Sequence, residues 1–437
     1  MTLVHSFLAL VQPLAEHMTR PSFANLRVIL TGWVFAQRRT ITGIIVAAGV
    51  AGHLHHSIVH RFFARAQWSL DALGLAVLNL IERWVDADAT VLLALDDTLA
   101  RKRGRKTFGV GMHHDPLISS RGKALVNWGH DWVILGVVVR LPLGERRCFC
   151  LPILFRLYLN KQAAAKARRT YRTRPELALQ MLHMLCESHK TRAFHVVADS
   201  AYGGQSVLTH LPANCDLTSR LLLDARLYEP APPRRPGQRG RPRKRGRRLP
   251  TPRQMLEQRA NRLTLNIYGR NERARVVDGP ARVYAVPQRP LRVVAVDPIS
   301  GGRAQQAFYS TVADATAEQV LHWYAMRWSI EVTFHDAKQH LGFEQPQGWS
   351  RRAVERTAPM AMLLYSLIVL WFAESGHRLY EPVLRPWYVG KSHASFADML
   401  TTLRRASVRE QIFPMGLTRR GRRKILQTLD TALQAAA

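Results

Sequence analysis

Three acidic residues occupy positions from which they could share metal ions. Asp97 lies just after the apolar run 91–95, Asp199 directly follows the apolar run 194–198, and Glu331 interrupts a largely apolar helical stretch. A buried carboxylate is costly unless it is paired or binds a metal. Carboxylate oxygens suit hard cations, and two such cations about 3.5–4 Å apart activate water and stabilise the leaving oxygen in phosphodiester cleavage. The three positions therefore indicate metal-dependent chemistry on a phosphodiester.

Each acid also has a simpler interpretation when it is taken alone. An aspartate at a strand end is often an N-cap or a turn residue, which is an equal alternative for Asp199. Glu331 is spaced to form a salt bridge with Arg327, one helical turn earlier. Asp96 and Asp97 are adjacent in a predicted strand, so their side chains point to opposite faces and only one can face a shared site.

The residues around Glu331 favour the catalytic interpretation. Tyr324, Arg327, Glu331 and Lys338 follow the pattern Y-x2-R-x3-E-x6-K. In the helix that the sequence predicts from about residue 315 to 341, steps of three, four and seven place all four on one stripe. An acid, two cations and a phenol on one face are what a metal-bound, phosphate-bearing strand requires.

This pattern resembles, at all four positions, the signature of the transposases of the IS4 superfamily. Leu95-Asp96-Asp97-Thr98 resembles the motif that carries the first catalytic acid of that superfamily, and Val197-Ala198-Asp199-Ser200 resembles the second. The Asp-Asp-Thr form is most similar to the IS701 group. The resemblance extends over residues 92–347.

The resemblance implies an α/β fold with a ribonuclease H-like core, in which a mixed five-stranded sheet with flanking helices is interrupted by a β-rich insertion. It implies three catalytic metal ligands for two Mg²⁺, with Mn²⁺ able to substitute: Asp97, Asp199 and Glu331. It implies three contacts to DNA near the cut: Tyr324, Arg327 and Lys338. The implied partners are double-stranded DNA, as transposon-end inverted repeats and as target, and a second copy of the chain in a synaptic homodimer.

One departure concerns cleavage of the second strand. Some relatives cut through a DNA hairpin and hold a flipped base with an aromatic side chain of the insertion. This chain has no Trp between Asp199 and Trp323. The remaining aromatic candidates, among which the sequence selects none, are Tyr268, Tyr284, Phe308 and Tyr309.

The overall charge favours a polyanionic partner. The 437 residues include 63 Lys and Arg against 31 Asp and Glu, a formal net charge of +32. Nucleic acid is favoured over the alternative of an anionic membrane surface. A hydrophobic fraction of 47% excludes global disorder. Four cysteines without a CxxC pair indicate neither a disulfide framework nor zinc.

The location expected from the sequence is the cytoplasm, in association with a bacterial nucleoid. The first residues show no basic n-region and no small-residue cleavage site. The longest apolar run, residues 358–373, is shorter than the roughly 20 residues that a membrane span needs, and we expect a buried helix there.

Changes of pattern along the chain predict five regions. In chain order they are an all-helical DNA-binding domain at 1–88, the first part of the core at 89–212, a β-rich insertion at 213–312 with a basic loop at 230–253, the second part of the core with the glutamate helix at 313–375, and a helical region for DNA binding or dimerisation at 376–437. The strand-like runs of the insertion are 263–268, 282–286, 291–296 and 306–311.

Two basic segments are predicted to contact DNA. The first follows the first aspartate motif and contains Lys102, Arg103, Arg105 and Lys106. In the second, residues 234–253 hold ten Lys and Arg and no acid, which predicts an exposed loop or tether. There, the string with Arg239, Arg241 and Arg243 resembles the core of an AT-hook, which lies in a narrow minor groove. A generic tether with phosphate affinity is the favoured alternative.

Three functions are compatible with these residues. The first is a DDE transposase that cleaves at transposon ends and joins the 3′-hydroxyl ends to target DNA in cut-and-paste transposition. The second is a ribonuclease H-like nuclease that cleaves without joining, since the same triad serves both. The third is an architectural DNA-binding protein with an inactive core, which would not need three metal-ready acids.

Overall fold

The structure is a computed structural model. It describes all residues of the chain except 116–117, 121, 144–146, 235, 237–239, 259, 268–269, 300–303, 383–392, 414–417, 419, 422 and 429–437. The chain divides into two compact units. Unit 1 contains Met1–Asp86, Asp97–Tyr171 and Glu331–Ala437, and unit 2 contains Ala87–Asp96 and Arg172–Ile330.

Unit 1 combines helices with an antiparallel sheet. Its helices are α1 (His5–Val11), α2 (Arg20–Phe35), α3 (Ile41–Ala47), α4 (His56–Ala64), α5 (Leu70–Glu82), α6 (Lys161–Lys166), α12 (Arg351–Glu374) and α13 (Phe396–Ile412). Its strands are β2 (Gly111–His114), β3 (Val126–Arg140), β4 (Cys148–Tyr158) and the second half of β1 (Val91–Arg101). β3 lies between β1 and β2 and also pairs with β4.

The core of unit 1 forms around α12. This helix is long and apolar enough to cross a membrane, but 94% of its most apolar window is buried inside the protein, which confirms the predicted buried helix. It packs against α1, α4, α5, α13 and β4. The helices of the first 86 residues therefore share a core with α12.

Unit 2 contains most of the strands. Its helices are α7 (Arg174–Ser188), α8 (Gln205–His210), α9 (Pro252–Gln258) and α10 (Ala317–Met326); α11 (Trp328–Leu341) begins here and continues in unit 1. Its strands, after the first half of β1, are β5 (Phe194–Ala198), β6 (Cys215–Leu221), β7 (Leu227–Tyr228), β8 (Asn261–Ile267), β9 (Arg270–Val283), β10 (Val286–Pro298) and β11 (Gln306–Ser310).

The sheet of unit 2 is mixed. β1, β5 and β6 are parallel, as expected for apolar strands that are buried on both faces. From β6 onward the sheet continues antiparallel through β11, β10 and β9. The predicted strand 282–286 is wrong in one respect, because Tyr284 and Ala285 form the turn between β9 and β10.

The basic loop is partly fixed. The backbone of Glu229 donates to Arg247 (2.9 Å), Gly246 donates back to Glu229 (3.0 Å), and Leu249 donates to Leu227 (2.9 Å). Of the two predicted alternatives, an exposed loop or a tether, residues 246–249 form the loop, because their backbone groups pair with β7 and the residue that follows it. A β-carbon on Gly246 would lie 2.3 Å from the Pro230 carbonyl oxygen, so this close approach requires glycine.

Candidate active site

The strands of the two aspartate motifs are neighbours in unit 2. β1 and β5 are parallel, and their register pairs Leu95 with Ala198. Asp96 and Asp199 are the residues that follow this pair. β5 ends before Asp199, whereas β1 continues through Asp96 and Asp97 to Arg101, so Asp97 lies inside its strand and not at its end.

Asp199 performs the capping role that the simpler interpretation gives it. One of its carboxylate oxygens accepts a hydrogen bond from the Ala201 backbone at 2.9 Å, at the start of a short 3₁₀ turn. Its carbonyl oxygen accepts from the Ser219 hydroxyl on β6 at 2.8 Å. These bonds fix the carboxylate while using one of its two oxygens. Capping and metal binding are therefore compatible at this residue.

Asp96 is paired with a cation. The Arg327 guanidinium donates to its carboxylate, and both side chains are largely buried, at 13% and 16% exposure. Arg327, which the sequence offers as a contact to DNA and as a partner of Glu331, pairs with Asp96 in the structure. Because Asp97 follows in the same strand, its side chain lies on the opposite face.

Tyr324 lies among charged groups at this edge. Burial raises the pKa of its phenol, and the neighbouring charge of Asp199 acts in the same direction, while Arg327 and Arg220 act against it. Its ring packs against Phe308 with centroids 4.6 Å apart. The Arg327 guanidinium carbon is 5.7 Å from its ring centroid. Tyr324 is therefore a protonated phenol that lies near Asp199 and two arginines. The sequence did not predict Arg220 as a residue of this site.

The predicted helix 315–341 is interrupted. α10 ends at Met326 and α11 begins at Trp328, with Arg327 in a tight turn that makes two i to i+3 backbone hydrogen bonds. The four motif residues are therefore divided between two helices, with Tyr324 on α10 and Glu331 and Lys338 on α11, and Arg327 between them keeps helical backbone angles. Glu331 occupies the first turn of α11 and is half-buried.

Within unit 1, α11 is held at both of its faces and at its end. The buried Thr333 hydroxyl donates to the Cys150 carbonyl on β4 at 2.8 Å. Trp33 on α2 donates from its indole to the Leu341 carbonyl, also at 2.8 Å, and the Arg39 guanidinium donates to the His340 carbonyl. Helices near the start of the chain thus help to fix the helix that carries Glu331.

Two of the predicted DNA-contacting lysines are half-buried in unit 1. Lys102 donates to the Glu344 carbonyl at 2.7 Å and the Pro346 carbonyl at 2.9 Å, and burial lowers its pKa to about 8. Burial also lowers the pKa of Lys338, which has Glu344 and Asp115 as acidic neighbours and Arg101 as a basic one. Lys102 is therefore a clamp on the segment after α11 rather than an exposed cation.

The other predicted basic contacts are exposed where the structure describes them. These residues are Arg103, Arg105, Lys106, Arg241 and Arg243. Arg239 lies outside the described residues, so the AT-hook remains a prediction. An exposed position is compatible with contact to DNA and also with a solvated surface.

The aromatic candidates for holding a flipped base differ in exposure. Phe308 and Tyr309 are 5% and 1% exposed, and the Tyr309 hydroxyl donates to the Gly203 carbonyl at 2.6 Å. Tyr284 is 50% exposed, and Tyr268 lies outside the described residues. Buried rings cannot stack on a base without rearrangement, which leaves Tyr284 as the accessible candidate within the described chain.

The donor chemistry at the strand ends fits a hard cation. Asp97, Asp199 and Glu331 offer carboxylate oxygens, the ligands that Mg²⁺ prefers, and the capping bond to Asp199 leaves one of its oxygens for a ligand. Across the described residues, no three His, Cys, Asp or Glu side chains are grouped closely enough to hold an ion. The three carboxylates are therefore chemically suitable ligands for Mg²⁺. Their assignment to one metal site is based on the sequence motifs.

A mixed sheet flanked by helices, with aspartates in and directly after two adjacent parallel strands, fits the fold of a DDE nuclease. A family model of the DDE superfamily endonucleases matches residues 13–280, and the chain belongs to that superfamily. The matched range contains both aspartate motifs and ends before Glu331. A search of curated proteins finds no match. Membership supports a function of the nuclease or transposase type.

Proposed function

We propose that this protein is the DNA transposase of an insertion sequence, of the IS4 superfamily and similar to its IS701 group. It binds terminal inverted repeats, cleaves at the transposon ends, and joins the 3′-hydroxyl ends to target DNA. Asp97, Asp199 and Glu331 are its catalytic residues. The pairing of two ends in one synaptic complex requires a homodimer, and such an enzyme works in the bacterial cytoplasm, at the nucleoid.

One observation carries the proposal. The parallel register of β1 and β5 pairs Leu95 with Ala198, the residues that come directly before Asp96 and Asp199, and the family match covers both aspartate motifs. The Y-x2-R-x3-E-x6-K pattern follows in α10 and α11. A nuclease needs the acids alone, whereas the tyrosine and the two cations of this pattern are features of the transposase signature.

The side chains have separate roles in this proposal. Asp97, Asp199 and Glu331 would hold two Mg²⁺ ions, which when bound activate the attacking water or 3′-hydroxyl and stabilise charge on the leaving oxygen. Tyr324, whose pKa is raised by burial, stays protonated and donates a hydrogen bond to a phosphate oxygen. Arg327, held by Asp96, positions the phenol beside it.

The test is a cleavage and joining assay. The purified protein is incubated with Mg²⁺, a labelled duplex of the DNA that flanks its gene, and a plasmid target. Glu331→Gln is the test variant. Glu318→Gln is the matched control, because Glu318 is an exposed glutamate in the first turn of α10. We expect cutting and joining by the wild type and the control, and neither by Glu331→Gln.

The alternatives give different results in the same assay. Cutting without joining would favour the ribonuclease H-like nuclease that the same triad could serve. Binding without cutting, equal for wild type and Glu331→Gln, would contradict the catalytic assignment and leave an architectural DNA-binding protein.

A further inference from the structure

Unit 2 contains an open basic cleft beside the turn between β9 and β10. Its volume is about 870 Å³. The cationic residues that line it are Lys244, Arg245 and Arg282, together with Tyr284 at the turn. The described lining residues include no Asp or Glu. A cleft of one charge sign concentrates potential and attracts a ligand of the opposite sign.

Arg245 is stacked within this cleft. Its guanidinium carbon is 3.5 Å from the Tyr284 ring centroid and 5.4 Å from that of Tyr228. The two rings lie near each other, with centroids 6.2 Å apart. When a guanidinium stacks on the face of a ring, its N–H groups point sideways in the plane of the guanidinium. There they can donate to a phosphate in bidentate geometry. The stack therefore orders Arg245 before any ligand binds.

The segment that carries Arg245 is fixed to the rest of the insertion. Gly246 and Arg247 exchange backbone hydrogen bonds with Glu229. The Arg247 side chain donates twice to a Glu229 carboxylate oxygen, at 3.0 and 3.2 Å. Arg282 is also used internally, since it donates to the Pro287 carbonyl at 3.1 Å. These bonds leave Lys244 and Arg245 as the cations suited to an external anion.

We propose that this cleft is a docking site for the phosphate backbone of duplex DNA, with Arg245 and Lys244 as its phosphate contacts and Tyr284 as the residue that orders Arg245. The inference rests on the proposed function, because it concerns the DNA substrate. It gives Tyr284 a role other than holding a flipped base, since Arg245 covers one face of that ring. The contact does not depend on sequence, because phosphates are the same at every base pair.

The experiment measures binding of a labelled 30-bp duplex of arbitrary sequence by fluorescence anisotropy at several salt concentrations. The slope of log K against log salt is negative, and each phosphate contact that is lost reduces its magnitude by about 0.9. We expect Arg245→Gln to reduce the magnitude of the slope by about that amount and to weaken binding about tenfold near 0.1 M salt. Lys190→Gln, at an exposed lysine between α7 and β5, should change neither quantity.

Three variants that preserve charge test the geometry. Tyr284→Ala unstacks Arg245 and should weaken binding severalfold, whereas Tyr284→Phe keeps the ring and should bind like the wild type. Gly246→Ala retains every charge but places a β-carbon against the Pro230 carbonyl, so it should weaken binding as Tyr284→Ala does. Wild-type slopes for both Arg245→Gln and Gly246→Ala would overturn the proposal. Equal losses for Tyr284→Phe and Tyr284→Ala would overturn the role of the ring.

The outcome is independent of the catalytic proposal. Arg245→Gln should lose cleavage of end DNA only in proportion to its loss of DNA binding, whereas Glu331→Gln should bind with the wild-type slope and not cleave. If the wild type cleaves no DNA at all, the transposase assignment fails while the salt slopes still decide whether the cleft contacts phosphate.

Discussion

Arg327 in unit 2 and Lys102 in unit 1 are two cationic side chains with the same predicted role, but their partners in the structure differ in kind. Both were expected to contact DNA. Arg327 pairs with the Asp96 carboxylate, so its charge is balanced by another charge. Lys102 donates to two backbone carbonyls, of Glu344 and Pro346, so its charge is compensated only by dipoles and by the acidic side chain of Glu344.

The difference shows how the two side chains tolerate burial. An arginine keeps its proton at all relevant pH values, so the charge of a buried one must be compensated by its partners, and for Arg327 the partner is the Asp96 carboxylate. A lysine can lose its proton, and burial lowers the pKa of Lys102 to about 8. The Asp96–Arg327 pair should therefore respond to removal of a partner, and the Lys102 clamp should respond to pH.

The largest expected effect is on the rate of DNA cleavage, which should distinguish the two neighbouring aspartates, Asp96 and Asp97. Asp97→Asn should reduce DNA cleavage on the order of 10³-fold or more, because a neutral amide is a poor metal ligand. Asp96→Asn should reduce cleavage only about tenfold, as is typical of groups that support ligands. Single-turnover cleavage at saturating DNA measures both.

The reverse order would assign Asp96 as the metal ligand and Asp97 as the supporting acid. Circular dichroism of each variant serves as the control for folding. Equal and complete losses, with both variants folded, would show that the pairing of Asp96 with Arg327 is as necessary as the metal ligand itself.

The second effect is on stability at the Asp96–Arg327 pair. Asp96→Asn and Arg327→Gln should each lower the free energy of unfolding by about 3 kcal/mol, because each leaves a largely buried charge without its partner. The double variant should cost much less than the sum, since neither charge is then buried alone. Urea unfolding of the four proteins measures the coupling. Additive losses would show that the pair contributes no coupling to stability.

The third effect tests the Lys102 clamp by pH. The unfolded state keeps its proton up to the usual lysine pKa of 10.5, whereas the folded state loses it near 8. Between these values the unfolded state binds more protons, so stability from this group rises with pH. Lys102→Met removes the rise, so its destabilisation should be about 2 kcal/mol larger at pH 10 than at pH 7.5. The exposed Lys106→Met is the control and should show no such difference.

The sequence predicted the elements that depend on local pattern. The apolar runs 91–95 and 194–198 predicted two buried strands with aspartates after them, and the apolar run 358–373 predicted the buried part of α12. The pairing of Asp96 with Arg327, 231 positions apart, has no local signal. The turn at Tyr284 was missed because neither it nor Ala285 is a typical turn residue.

The candidate site was predicted in composition more than in geometry. The residue types of the motifs identified Asp97, Asp199 and Glu331, and those roles remain predictions. The break at Arg327 was missed, because helix propensity continues through it without Gly or Pro. The burial of Lys102 was missed for a related reason, since a run of basic residues such as 101–106 is typical of an exposed loop.

The smallest expected effect concerns His195 in unit 2, a buried base that sharpens the contrast with Lys102. Its side chain is 3% exposed, and its Nε2 atom forms a hydrogen bond with the Thr218 hydroxyl at 2.8 Å. Its ring packs against that of Trp323, with the centroids 4.2 Å apart. Burial lowers its pKa from 6.5 to about 4. The unfolded state therefore binds the extra proton as pH falls below 6.5, and the contribution of His195 to stability falls until pH 4.

His195→Gln removes this titration, so its loss of stability between pH 6.5 and pH 5 should be about 1 kcal/mol smaller than that of the wild type. Urea unfolding at the two pH values measures it, with His183→Gln as the control at an exposed histidine of the same unit. An unchanged acid dependence in His195→Gln would mean that the buried imidazole takes up its proton without unfolding. In that case burial of a basic side chain would not by itself make stability depend on pH. The pH response of Lys102 would then be due to its hydrogen bonds to the two backbone carbonyls.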